Sequence, residues 1–207
     1  MSVLDRLASA LGRNDEQPNV ALAQDLAATG DSAAIVELVG ALSTGTAAIK
    51  SDAIKTLYEI GALRPELIVP HADAFMALLD SSSNRLVWGA MTALDAIAAT
   101  QPGRVAADLP HILAAADRGS VIAKDRCIAL LVKLAKAGDA DSICPILLQR
   151  LADSAPNQFP SYAEAIAPVV PKPQRRNFIA ILNERLTGML QQAKRKRVEK
   201  LLQKFNG

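Results

Sequence analysis

Ile49-Lys50-Ser51-Asp52-Ala53-Ile54-Lys55-Thr56-Leu57-Tyr58-Glu59-Ile60 is the stretch that decides the fold. Ala53, Leu57 and Ile60 recur at the three- to four-residue spacing that places side chains on one face of an α-helix. A step of 37 residues lands on Ala90, Leu94 and Ile97, and a second step on Cys127, Leu131 and Leu134. The neighbouring apolar position keeps the same interval through Ile54, Met91 and Ile128. A buried face repeated at one period marks stacked units, each too small to cover its own apolar surface.

Working outward, a second helix precedes each of these. Ile35 to Leu42 maps onto Ala72 to Leu79 and then onto Leu109 to Ala116. Short polar turns close them at Ser43-Thr44-Gly45, Asp80 to Ser83 and Asp117 to Ser120. A fourth, less regular unit starts at Asp139, and its second helix near Tyr162 is cut short by Pro168, Pro171 and Pro173. Gly30-Asp31 and Gly138-Asp139 pair a helix-stopping Gly with a capping Asp. Pro65 and Pro102 fit a first helical turn, where a missing N–H costs nothing. Pro70, Pro110 and Pro145 lie deeper and predict a kink or a restart.

Each unit is thus a helical hairpin of about 37 residues, within the roughly 34–47 residues of helical solenoid repeats. Gly30-Asp31-x-x-Ala34-Ile35-x-x-Leu38-Val39-x-x-Leu42 and Gly138-Asp139-x-x-Ser142-Ile143-x-x-Ile146-Leu147 resemble the start of HEAT/armadillo-like repeats. Asp80, Asp117 and Asp153 are similar to the turn aspartate of HEAT units. The resemblance implies an all-α fold, an α-α superhelix (HEAT/ARM-like solenoid) of about four hairpins with N- and C-terminal capping helices. Residues 1–207 are expected to form a single α-solenoid domain. Within it 2–29 is the N-terminal cap, 30–62, 63–99, 100–137 and 138–170 are repeat units, and 171–207 is a basic C-terminal helix. Val3 to Leu11 is expected as a short amphipathic helix ending at Gly12.

Composition agrees. Half of the 207 residues are hydrophobic but only 3% are aromatic. Ala is roughly one residue in five, which suits close helix approach and raises apolar content without large side chains. The chain is too apolar for intrinsic disorder and too poor in β-branched and aromatic residues for an all-β protein. Cys127 and Cys144 cannot build a disulfide framework and read as small buried hydrophobes. Free thiols and the lack of a leader pattern at Met1-Ser2-Val3-Leu4-Asp5-Arg6 point to the cytoplasm. No apolar run is long enough to span a membrane.

Charge is unevenly distributed. Residues 172–207 hold ten Lys or Arg against Glu184 and Glu199, whereas residues 1–171 hold 13 basic and 19 acidic groups. The basic surface comprises Arg175, Arg176, Lys194, Arg195, Lys196, Arg197 and Lys200. It reads either as a capping helix facing an acidic body or as a contact surface for nucleic acid or an acidic partner. The helical period there runs from Gln174 to Phe205 and would allow one helix of about 45 Å, with Gly188 as a weak point.

No catalytic constellation appears. The phosphate-loop, dinucleotide and zinc-protease motifs are all missing, and His71 and His111 lie 40 residues apart, outside the repeat period. No metal site and no cofactor is expected. With Leu57 at the centre of the buried face, Ser51, Asp52, Lys55, Tyr58 and Glu59 point outward, as do Trp88, Thr92 and Asp95, then Asp125, Arg126, Val132 and Lys133. In solenoids of the kind this chain resembles, second helices often line the concave face. Tyr58, Trp88, Asp95, Arg126 and Lys133 are therefore the candidate binding residues, with inter-repeat packing as the alternative role of the two aromatics.

Three functions remain open. The first is a non-catalytic scaffold that binds a protein or peptide. The second is a nucleic-acid-binding protein using the C-terminal helix, including a DNA-glycosylase-like version that the HEAT resemblance implies and that scarce aromatics disfavour. The third is a structural subunit of a larger assembly.

Overall fold

The computed structural model describes residues 2–206. Among them the regular elements are all helical, and no helix is long and apolar enough to cross a membrane. The helices are α1 (Gln17–Thr29), α2 (Ser32–Thr44), α3 (Ala47–Leu63), α4 (Ala72–Leu78), α5 (Asn84–Ala98), α6 (Pro102–Ala106), α7 (Leu109–Arg118), α8 (Val121–Leu134), α9 (Ala140–Ala152), α10 (Phe159–Ile166), α11 (Arg175–Thr187) and α12 (Gln192–Asn206). They divide into two compact units, with the boundary inside α8 between Cys127 and Ile128.

In the first unit the period is visible in the helix starts. Ala47, Asn84 and Val121 open α3, α5 and α8 at intervals of 37 residues. Thr46 and Ser120 stand one residue before two of these starts, and their hydroxyls accept the N–H of Ile49 and Ala123, which satisfies one orphan donor at each helix start. The second and third repeat units also have a leading element that the hairpin picture lacks: a 3-10 turn at Pro65–Leu67 and the short α6, both opened by proline. Pro70 lies in a further 3-10 turn before α4, and Pro110 occupies the first turn of α7, so both mark restarts. Pro145, by contrast, sits inside the continuous α9.

Packing explains the layers. α3 lies between α1 and α5, with α2 against its third side, and α5 packs on α4. The seam is made of the repeating positions: Ala53, Leu57, Ile60, Ala90, Leu94 and Ile97 are all buried. Gly30 ends α1 in the left-handed conformation at φ +68°, and the Asp31 carboxylate accepts the Ala34 N–H at 3.0 Å to cap α2. Asp139 makes no such cap. There a π-helical turn, Ala135–Asp139, with Gly138 at φ +117°, carries the chain from α8 into α9.

Gly89 sets the approach of α3 and α5. A Cβ added there would lie 2.6 Å from Ile54 Cγ1, and Ile54 is fully buried. Gly→Ala in a free helix gains about 0.5–1 kcal/mol, but overpacking a filled core costs about 1–3 kcal/mol. Gly89→Ala is therefore expected to destabilise, while Gly40→Ala, at an exposed site of α2 with open space, is expected to stabilise. Denaturant midpoints of the two variants should move in opposite directions.

The N-terminal segment differs from the expected amphipathic helix. Only Val3–Arg6 is helical, as a 3-10 turn. The Ala8 and Ser9 N–H groups, which a helix would spend on its own carbonyls, bond instead to Asn19 Oδ1 at 2.9 Å and Asp52 Oδ2 at 2.7 Å. Side chains from α1 and α3 thus take the place of the local helix bonds, and Val3 and Leu7 are buried in this arrangement.

In the second unit α9 packs on α10 and α11, and α12 packs on α10 and α11. The single long C-terminal helix expected from the sequence is thus two helices. Gly188 terminates α11, and residues 188–191 reverse the chain. The break allows Phe178 and Phe205 to meet at a centroid distance of 5.0 Å, which one straight helix forbids.

Candidate interaction surfaces

In the first unit the packing of α3 and α5 leaves one side of each helix open. Ser51, Asp52, Lys55 and Glu59 are half-buried along α3, and Arg85, Trp88, Thr92 and Ala96 are half-buried along α5. Each set follows three- and four-residue steps and so forms a stripe down its helix.

The stripes are joined by a closed circuit of contacts. The Tyr58 and Trp88 rings meet at 5.7 Å, tilted by 47°. Lys55 Nζ lies 5.0 Å from the Tyr58 centroid, and the Arg85 guanidinium 4.4 Å from that of Trp88, both within cation–π range. Glu16, at the start of α1, closes the circuit by accepting from Lys55 at 3.1 Å and from Arg85 at 2.6 Å. Lys55 also bonds Glu59 at 2.6 Å, and Arg85 Nε donates to Ser51 Oγ at 3.1 Å. Burial works against the Lys55 ammonium, but its contacts with Glu59, Tyr58 and Glu16 outweigh that and hold it above the ordinary lysine value. The circuit holds the Trp88 ring between Arg85 and Tyr58.

The structure corrects part of the outward-facing set. Tyr58 is 8% exposed, Asp95 7% and Val132 7%, so all three are buried. They are one position seen three times: each follows the central leucine of its unit, Leu57, Leu94 or Leu131, by one residue. A residue 100° from the buried centre sits at the flank of the helix, and for Tyr58 the flank is covered by Trp88 of the adjacent helix. Of the other candidates, Arg126 is exposed on α8 and Lys133 is half-buried on it. Tyr58 and Trp88 are brought together, with Lys55 and Arg85 against their rings and Glu16 bridging the two cations. Arg85 carried a usable signal, since it precedes Trp88 by three residues on a helix. Glu16 carried none, being 69 residues from Arg85.

In the second unit the predicted basic surface separates into two groups. Arg197 binds the Glu164 carboxylate through two nitrogens at 2.8 and 2.6 Å and Ser161 at 3.1 Å. This guanidinium holds the Glu164 carboxyl below its ordinary value. Arg195 bonds Glu199 at 2.9 Å, and Lys194 bonds Asn157 at 2.5 Å. Arg185 donates to the carbonyls of Ala152 and Ser154 and lies 4.8 Å from the Phe159 ring. Arg176, Lys196 and Lys200 are exposed, and Arg175 lies 5.8 Å over Phe205.

Groups with reactive potential are quiet or apart. Cys127 and Cys144 are both buried, and burial together with Asp141 pushes the Cys144 thiol up, away from the thiolate. His111 lies 3.0 Å from Asp80, and burial lowers the His71 pKa. Among the described residues no three His, Cys, Asp or Glu converge on a metal position.

No protein-family model matches the sequence, and no curated protein matches it. Solved structures match the fold. A designed armadillo repeat protein in complex with peptide (KR)4 has a TM-score of 0.63 at 19% identity, over 89% of this chain and 86% of that one. A computationally designed armadillo repeat protein for modular peptide recognition has a TM-score of 0.63 at 18% identity, over 97% of both chains. The fold is an armadillo/HEAT-like helical repeat. The second and third repeat units each have a short proline-led element, a middle helix and a long third helix. The Tyr58–Trp88 circuit lies across two successive long helices, α3 and α5.

Proposed function

We propose that this armadillo-like chain is a non-catalytic scaffold that binds an extended peptide across the open side of α3 and α5. One observation carries the proposal: the chain's only tryptophan is held half-buried between Arg85 and Tyr58, next to the polar stripe positions Ser51, Lys55, Glu59 and Thr92. Tryptophan, tyrosine and arginine dominate binding hot spots, and a preformed cluster of all three suits that role. Supporting it, a solved structure of the same fold holds a (KR)4 peptide. The first unit contains ten basic against fifteen acidic groups, and Glu16 and Glu59 lie on the open side. A cationic peptide is thus the favoured class.

Because Trp88 is the only tryptophan, its emission reports this surface directly. Titration with (KR)4 peptide is expected to change that emission saturably. Trp88→Ala, followed with a labelled peptide, should weaken binding by roughly 30-fold, equivalent to about 2 kcal/mol. Binding that survives both Trp88→Ala and Glu16→Gln unchanged would remove this surface from consideration.

A further inference from the structure

The second unit carries a cationic surface that its own fold uses only in part. Of the ten Lys and Arg in residues 172–207, Arg185, Lys194, Arg195 and Arg197 are spent on carbonyls, Asn157, Glu199 and Glu164. Six remain. Lys196, Lys200 and Lys204 stand four residues apart on α12, all exposed, on the side away from the buried Val198. At 1.5 Å per residue they form a stripe of about 12 Å. Lys172, Arg175 and Arg176 lie at the start of α11 and are exposed. The contact of Arg175 with the Phe205 ring brings this trio to the C-terminal end of α12, next to Lys204. Among the described residues none of the six makes an ion pair at direct contact distance, and the charge of Lys200 reaches Glu164 only beside the closer Arg197.

Fold stability accounts for only part of this arrangement: Arg175 stacks on Phe205, and Lys204 in the last turn of α12 suits the helix dipole. Like charges four residues apart on a helix repel, and Arg175 and Arg176 occupy the first turn of α11, where the helix dipole disfavours cations. A lipid surface is a poor fit: the apolar side of α12 is buried through Val198 and Leu202, and the exposed Leu190 is a single side chain in the 188–191 turn, at the other end of α12 from Lys204. An acidic protein is also a poor fit. Protein interfaces rely on a desolvated apolar or aromatic centre, and these six positions supply only solvated charge. A phosphodiester backbone needs nothing else: cations that displace condensed counterions bind it without reading bases.

We propose that the α11–α12 pair binds the phosphate backbone of a nucleic acid duplex without sequence readout. This surface is separate from the peptide surface proposed for the first unit, so either can fail without the other.

The test is the fluorescence anisotropy of two labelled DNA duplexes of unrelated sequence with the full chain, at salt from 50 to 200 mM. Both duplexes should bind alike. With about −0.9 in slope per phosphate contact, six contacts give a log–log slope near −5 and roughly a thousandfold loss over this range. Lys196→Gln/Lys200→Gln/Lys204→Gln should cut the slope by about 3, and Arg176→Gln alone by about 1. Circular dichroism verifies that each variant folds, and Arg176→Gln keeps the test decisive if the triple variant does not. No binding at 50 mM, a slope untouched by these variants, or a strong preference for one sequence would overturn the proposal. Polyglutamate competing as well as DNA at equal charge would also overturn it, by assigning the surface to an acidic protein.

Discussion

Phe178→Ala is expected to lower the stability of the second unit by about 3–5 kcal/mol, the range for deleting a buried phenyl ring. Phe178 is fully buried on α11, which packs on both α9 and α12. Its ring meets Phe205 of α12 at 5.0 Å with planes 55° apart, a tilted geometry that aromatic pairs favour. Truncation leaves a cavity that rigid neighbours refill only in part and removes the main aromatic anchor of α12. Phe178→Leu retains most of the volume and should cost under about 1.5 kcal/mol. Guanidinium unfolding followed by far-UV circular dichroism separates the two. Amide exchange along α12 should accelerate in Phe178→Ala, since local opening becomes easier. Equal midpoints for both variants and the wild type would show that the ring contributes no net packing energy.

Asn19→Ala is expected to cost roughly 2–4 kcal/mol, although it removes only a small polar group. Asn19 is fully buried. Its oxygen accepts the Ala8 N–H at 2.9 Å, and its Nδ2 donates to Asp52 at 2.7 Å, while Asp52 also accepts the Ser9 N–H. Alanine would leave the Ala8 N–H buried without its acceptor and take a donor from Asp52. Each such orphan costs about 1–3 kcal/mol. Asn19→Asp makes a distinctive companion. It keeps the acceptor for Ala8 but sets a second carboxylate against Asp52, so the folded pair retains a proton that the unfolded chain releases. A pKa raised by folding means stability that is present at low pH and lost as pH rises through the folded value. Asn19→Asp should therefore gain stability relative to wild type between about pH 7 and pH 5, whereas Asn19→Ala should not. Parallel pH profiles for the two variants would refute the shared-proton account.

Much of this architecture is legible in the chain because it depends on local spacing. The steps from Ala53 to Ala90 to Cys127 locate three long helices, and the structure opens them at Ala47, Asn84 and Val121, 37 residues apart. The same holds for Gly30-Asp31, where a left-handed glycine and a capping carboxylate act within four residues of each other. The N-terminal segment is not legible in this way. Its apolar spacing suits a helix, but the partners of Ala8 and Ser9 come from positions 19 and 52, and long-range hydrogen bonds override the local preference. The C-terminal stretch is an intermediate case. Gly188 signals a weak point, and the packing of Phe178 on Phe205 decides that the helix breaks there.

By itself the sequence determined the helical repeat, its period and the separation of an acid-rich body from a base-rich end. Those properties follow from residue order and from the 3.6-residue turn. Only the tertiary structure decided which side chains are available. Tyr58, Asp95 and Val132 stand at the flank of the buried face, and the period cannot say how wide an arc the neighbouring helices cover. Likewise, ten cations near the C-terminus are equal as letters. Partners 33 residues away, such as Glu164 for Arg197, decide which are spent within the fold and which stay open to a ligand.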